Sequence, residues 1–477
     1  MLFRYWNNRS LRGCGVPWPT VTVLSLQLIS GIARGGTDID PISAPKAQSE
    51  ETLGQSSRFV GWGAEDRFIA RGQATYAWTR KFTFEAPYTG PQSLRTTPES
   101  SYTLSFTAYL GARLWEGAEL YADPEAFQAH PLSNLFGLAG IDNGELQKAS
   151  GVEIRAYGAR LFFRQSVGLG GGSFEVPPGL NQLVAHYDRR RVVFTVGKIS
   201  LTDLFEKNTY ADDPRTQFMN WALMTYGAYD FAADSRGYDI GGAMELYWDN
   251  WAVRVGRFME PIVANGRSLY YNLLRRHGDQ IELEHDHDLW GHPGVVRLLI
   301  YRNLANAGAY REAIAVAAGT GNAPDITAVR SLSPKTGYGL SVEQSLTPSL
   351  AVWARAMDCD CRVEEYAFTE IDNSVSAGVS VKGLLWRRPD DTVGAAFSSN
   401  GLSRDHRDYL AAGGMGGFLG DGRLNYAREV DSEIYYSALV YNGIHLTLDY
   451  QRVVNPGYNA DRHGPVQLLS GRVHLEF

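Results

Sequence analysis

Residues Met244–Val255 constrain the fold more than any other stretch of this chain. Two alternating runs, Met244-Glu245-Leu246-Tyr247-Trp248 and Trp251-Ala252-Val253-Arg254-Val255, meet at Asp249-Asn250. A two-residue Asp-Asn loop between alternating runs is a strong hairpin signal. In that register Trp248 faces Trp251, Leu246 faces Val253 and Met244 faces Val255 on one side. Glu245 faces Arg254 and Tyr247 faces Ala252 on the other. Side chains of a strand alternate with a period of two, so one face of this hairpin needs an apolar medium and the other needs water. A Trp pair at the turn with aliphatics beyond it is the order that a membrane interface followed by hydrocarbon selects.

The same two faces recur far downstream. Phe477, Leu475, Val473, Gly471 and Leu469 share one side of the last strand, with Glu476, His474, Arg472 and Ser470 on the other. A three-residue loop at Tyr441-Asn442-Gly443 aligns Ile434, Tyr436, Ala438 and Val440 with Ile444, Leu446, Leu448 and Tyr450. A slip of one residue would turn Glu433 toward lipid, so the pattern selects this register. Tyr102-Leu104-Phe106-Ala108-Leu110, Val375-Ala377-Val379-Val381 and the runs either side of Thr347-Pro348-Ser349 repeat the design.

No run of about 18 or more apolar residues occurs, which excludes helical spans but not strands, which need only about 9–11 residues. The 51 Gly, 26 Tyr and 11 Trp suit tight turns and interfacial girdles. Arg4, Arg9 and Arg12 precede an apolar run from Val21 to Ala33, the pattern of a secretory leader over residues 1–33. Residues 34–58 are read as a flexible periplasmic segment and 59–477 as the barrel. The formal charge of -7 becomes still more acidic without the leader's three Arg, which argues against a nucleic-acid partner. Cys359 and Cys361 then remain, and a local disulfide is expected in an oxidising compartment. A metal site with Asp358 and Asp360 is the alternative there, though no His with ligand spacing lies near.

The expected fold is therefore an all-β antiparallel transmembrane barrel of roughly 16 strands, or 18 as the alternative, wide enough for a channel. Short turns would face the periplasm. Long Gly- and Pro-rich stretches such as 169–182 and 309–336 would form extracellular loops.

Several segments carry a closer likeness. They are Tyr109–Glu119, Gly197-Lys198-Ile199, Asn208–Trp221, Gly420–Tyr426 and Val454-Asn455-Pro456-Gly457. Together they resemble the OprB-type carbohydrate-selective porins, from about Phe59 to Phe477. The resemblance implies a 16-stranded channel in the outer membrane of a Gram-negative bacterium, passing glucose and other small carbohydrates by diffusion. It also implies outer-membrane lipid and lipopolysaccharide around the barrel, and assembly machinery engaging the strand that ends at Phe477.

A sugar offers hydroxyls and flat C–H faces, so a selective pore needs charged or amide groups beside aromatic rings, with binding weak enough for release. The tract from Gly197 to Asn220 supplies Lys198, Asp203, Asn208, Tyr210, Asp213, Arg215 and Asn220. Residues 208–220 are expected to fold into the lumen as a constriction, held by Asp213–Arg215 pairing and by Phe218 and Trp221 packing. Wall positions from the registers are Arg113, Glu119, Glu245, Tyr247 and Arg254, with Arg160 and Arg164 flanking Phe162. Glu282, Glu284, Asp286 and Asp288 share a face while His285 and His287 point the other way, so this tract reads as wall opposite cations such as Arg297. No cofactor motif is present; Gly168–Gly172 lacks the Gly-Lys-Ser/Thr of a phosphate loop. Competing functions are a channel for an acidic sugar or organic acid, a barrel hydrolase, for which no nucleophile motif stands out, and a scaffold with a blocked lumen.

Overall fold

Sixteen antiparallel strands close into one barrel in the computed structural model, which describes residues 67–477 except 149, 150 and 369. The expected leader and the segment 34–58 lie outside the described residues. The first strand, β1 (Phe68–Lys81), pairs with β2 (Glu99–Trp115) on one side and with the last, β18 (Val466–Glu476), on the other. No barrel strand is left with an open edge. That matters because hydrocarbon offers no partner for an exposed backbone group. The seam is finished by the terminal residue. Gly72 N donates to Phe477 O at 2.7 Å and Phe477 N donates to Gly72 O at 2.9 Å. A Cβ at position 72 would lie 2.6 Å from the Phe477 ring, so a residue without a side chain is needed where the aromatic closes over the strand.

Two further strands, β5 (Ser173–Val176) and β6 (Ala185–Asp188), form a separate hairpin between β4 (Arg155–Gly168) and β7 (Arg191–Ile199). They account for the difference between the eighteen strands of the described residues and the sixteen of the wall.

The expected hairpin registers are present. Between β8 (Asp239–Trp248) and β9 (Trp251–Phe258), Trp248 opposes Trp251, Leu246 opposes Val253 and Glu245 opposes Arg254. The two Trp are 49% and 46% exposed on the outer face, whereas Arg254 is 1% exposed on the inner one. Between β16 (Glu429–Tyr441) and β17 (Ile444–Val454), Tyr436 opposes Leu448 and Ala438 opposes Leu446, as alternation requires. The turn itself closes on Tyr441 and Ile444, and the register shifts between Leu439 and Tyr441. That irregularity lets a tight Asn-Gly turn coexist with the register expected of a three-residue loop.

One end of the barrel carries the tight turns, at Glu116-Gly117, Asp249-Asn250, Trp290-Gly291 and Asn442-Gly443. The connection over residues 309–329 lies at the opposite end, as expected of a long loop. Residues 169–190 correct that division. Gly168 pairs with Arg191, Arg191 pairs with Tyr247, and Arg190 donates to Asp249 in the neighbouring turn. This long connection therefore belongs to the turn end. Its composition resembles a loop of the other end, but strand parity places it here.

Leu298 on β11 (His292–Gly308) is 50% exposed on the outer wall, roughly six residues or about 20 Å along the strand from its turn. Leu298→Arg should cost about 2–4 kcal/mol, since it places a cation near mid-membrane. Equilibrium unfolding in lipid vesicles measures this, and a change within error would contradict the lipid-facing assignment.

Candidate functional site in the lumen

The inner wall is rich in carboxylates and guanidiniums, and these draw in the connection between β7 and β8, residues 200–238. Glu343 of β12 (Arg330–Thr347) accepts from Thr209 N at 2.7 Å. Glu433 of β16 accepts from Met219 N at 2.6 Å and Asn220 N at 2.9 Å. Arg472 of β18 donates to the carbonyls of Pro214 and Gln217, both at 2.8 Å. Arg355 of β13 (Leu350–Cys359) donates to Leu223 O at 2.8 Å. Irregular backbone is costly away from water unless each polar group finds a partner. Here charged wall residues supply those partners from several sides, and charge-assisted bonds are the stronger kind. The connection thus crosses the lumen as a strap.

Arg215 fastens the strap to the opposite wall. Its Nε donates to Glu145 Oε1 and its Nη2 to Glu125 Oε2, each at 2.7 Å, and its Nη1 donates to Thr107 at 3.1 Å. Lys148 stands 3.5 Å from Glu125 and 3.6 Å from Glu145, so two cations share two carboxylates. Burial alone would lower the proton affinity of Arg215, but Glu145 and Glu125 outweigh it and raise it well above the ordinary value.

Beside Arg215 lies a cavity of about 520 Å³. The strap bounds it with Asp203, Asp213 and Arg215, and the wall with Tyr109, Arg160 and Phe162. Trp221, Tyr238 and residues 178–182 also line it. Arg160 grips Asp203 with two bonds of 2.7 Å, Nε to Oδ2 and Nη2 to Oδ1. Asp203 also closes a capping box with Ser200, which rigidifies the first turn of the strap. Burial pushes its carboxyl upward, but Arg160 prevails and holds it below the usual carboxylate range. Tyr238 presents its ring to Arg160 and Lys148, each 5.3 Å from the centroid. Fixed ion pairs and aromatic faces thus border the same cavity.

The family model described as carbohydrate-selective porin, OprB family, matches residues 91–477. The chain belongs to the OprB family of carbohydrate-selective porins. It is a sugar channel of that family, with the barrel expected of one. Among solved structures, the high-pH form of Pseudomonas putida OprB is similar at 16% identity and a TM-score of 0.66, over 87% of this chain and 95% of that one. The low-pH form of the same protein is similar at 12% identity and a TM-score of 0.46, over 87% and 93%. The outer membrane channel DcaP of Acinetobacter baumannii matches at 10% identity and a TM-score of 0.49, over 88% and 100%. No curated protein matches the sequence.

Within this porin the residues singled out from the sequence separate into three groups. Asp203, Asp213 and Arg215 line the cavity. Asn208, Tyr210 and Asn220 build the strap. Asn208 Oδ1 accepts from Tyr210 N and Ala211 N, and Asn220 Oδ1 accepts from Ala222 N, capping a helical turn. Tyr210 packs on the cluster of Phe218, Trp353 and Tyr435. Arg113, Glu119, Glu245, Tyr247 and Arg254 belong to wall networks. Arg113 donates to Glu119 at 3.0 Å, and Arg254 reaches Glu245, Glu282 and Glu284. Tyr247 donates to Glu245 at 2.6 Å. Lys198 pairs with the outward Leu161 in the ladder, donates to Gly158 O at 2.8 Å and stands 5.8 Å from the ring of Tyr238, without itself lining the cavity. The acidic face of β10 (His277–Leu289) does meet cations, with Arg297 bonding Glu284 and Glu343.

Glu125, Glu145, Lys148 and Tyr238 escaped the sequence reading. Glu125 follows by alternation from Glu119, two positions at a time along the strand. Glu145 and Lys148 come from the connection after β3 (Ala118–His130), whose sequence carries no periodic signal. Cys359 and Cys361 are joined in a disulfide, while Asp360 accepts from Thr336 N and Asp358 from Tyr338, so both acids serve hydrogen bonds to β12.

Arg215→Ala would leave Lys148 as the cation shared by the buried Glu125 and Glu145, a loss of up to about 3–5 kcal/mol for a broken buried pair. The strap should loosen and single-channel ion conductance should rise; unchanged conductance would show that the strap holds without Arg215. Glu206, whose partner is Arg355, is a second lever. Burial, opposed by Arg355, raises its carboxyl to about 7 from an ordinary value near 4.5. A raised acid contributes stability that is full below its unfolded value and is lost as pH rises to its folded one. Wild-type stability should therefore fall between about pH 4.5 and 7, and Glu206→Gln should flatten that window. Thermal melts across this range read the difference.

Proposed function

We propose that this porin lets small neutral sugars, of mono- to disaccharide size, diffuse passively across the outer membrane of a Gram-negative bacterium. The loop end would face outward and the turn end the periplasm. The observation that carries this reading is the cavity, where the rings of Tyr109, Phe162 and Tyr238 stand beside the fixed Arg160–Asp203 pair. Rings suit the C–H faces of a sugar, and paired charges suit its hydroxyls without demanding a charged solute. A volume of about 520 Å³ lies within the usual range for small-molecule sites.

A second reading, an acidic sugar or organic acid, is favoured by one observation. Seven Arg or Lys side chains line the cavity against five Asp or Glu. At least five of those cations are already engaged, Arg160 with Asp203, Lys207 with Asp212, Arg164 with Glu119, and Lys148 and Arg215 with Glu145, which supports the neutral solute. We further infer that lipopolysaccharide and lipid surround the outer wall, and that the strand ending at Phe477 is what the assembly machinery engages.

Planar-bilayer recordings distinguish these readings. Glucose and a disaccharide should each reduce ion current in a saturable way, and gluconate should do so no better. Stronger block by gluconate would favour the acidic solute, and no block by any of them would remove the sugar channel.

A further inference from the structure

We propose that the turn-end hairpin Ser173–Asp188 builds a second wall of the sugar filter. Its tip, residues 178–182, meets the solute from the periplasmic side, and Asn181 and Gln182 discriminate by bonding hydroxyls. The proposal rests on the sugar-channel reading above and extends it to a segment that no motif marks.

The tip is seated deep in the lumen. Asn181 Nδ2 donates to Asp123 Oδ2 at 2.7 Å, and Asp123 lies roughly six residues along β3 from the Glu116-Gly117 turn, on the order of 20 Å. Leu183 is fully buried in the main apolar cluster, and its N donates to Tyr121 Oη at 3.2 Å. Arg113 Nη2 donates to Val184 O at 2.6 Å. Arg164 Nη1 reaches Asn181 O at 3.3 Å and Gln182 Oε1 at 3.4 Å. Gly179 and Gln182 pair across the tip, with Gly179 N donating to Gln182 O at 2.9 Å. A segment held at both flanks and across its own turn is a wall rather than a loose end.

Arg160 joins this tip to the strap. The same guanidinium that grips Asp203 also stands 3.4 Å from Asp123, the carboxylate that holds Asn181. Two insertions, one from each end of the barrel, thus meet at a single side chain beside the cavity. Residues 178–182 and the strap's Asp203, Asp213 and Arg215 all border that space. A solute leaving the strap toward the turn end must pass the tip.

The chemistry on offer is acceptor-rich. Asn181 borders the cavity, and its Oδ1 has no protein donor. A hydroxyl arriving beside Asn181 supplies the donor that this oxygen lacks, whereas an apolar or purely anionic solute does not.

Asn181→Cys tests this in planar bilayers with protein lacking the leader and its Cys14, because Cys359 and Cys361 are tied in a disulfide and leave the new thiol as the reactive one. A methanethiosulfonate reagent with a polar head of glucose size should lower current several-fold in the variant and leave the wild type unaffected. Asn181→Ala and Gln182→Ala should weaken glucose block several-fold. Either a thiol that never reacts, or one shown by mass to be modified without changing current, would overturn the proposal. Absence of sugar block in the wild type would instead count against the sugar reading. The current response of the Cys variant stays readable in that case.

Discussion

A chain that crosses hydrocarbon must find every backbone hydrogen bond within itself, and in this porin the requirement is met by closing β1 on β18. Everything else depends on that closure. It defines an inside, so each strand's alternation becomes a choice between lipid and lumen. It also fixes strand parity, and parity decides which connection emerges at which end. The mutual bonds between Gly72 and Phe477 lie at the last step of the seam. The terminal aromatic thus forms part of the wall as well as its end.

The lumen is a second solvent problem with a different solution. Sixteen strands enclose more space than side chains fill, so connections fold inward. They can do so because the wall offers ionised partners to their backbone groups. Glu343, Glu433, Arg355 and Arg472 each hold a piece of the strap, and Arg215 returns the favour by neutralising Glu125 and Glu145. Charged inner faces are therefore structural before they are selective. The residues left beside the cavity, such as Arg160 and Asp203, keep their geometry because the same network fixes them.

Much of the wall was legible from residue order. Trp248 against Trp251 and Tyr436 against Leu448 follow from period-two alternation and turn length, which are local properties. The inward direction of Glu245 and Arg254 follows from the same count. The inward fold of residues 208–220 was also legible, since the tract resembles the family and carries its own caps and aromatic anchors. Residues 169–182 were misplaced because Gly-rich composition marks a connection without saying at which end it lies. Lys198 was grouped with the filter by its neighbours in sequence, yet the ladder sets it opposite Leu161.

Sequence alone therefore determined a two-faced strand repeat, its registers and the family to which the chain belongs, because these rest on neighbours within a few positions. Tertiary structure decided which side chains share the cavity. Arg160 and Asp203 are 43 positions apart, and Arg215 and Glu125 are 90 apart. Such meetings depend on how many strands close the ring and how far each connection reaches into it. Alternation sets a side chain's direction, but only the closed barrel sets what it faces.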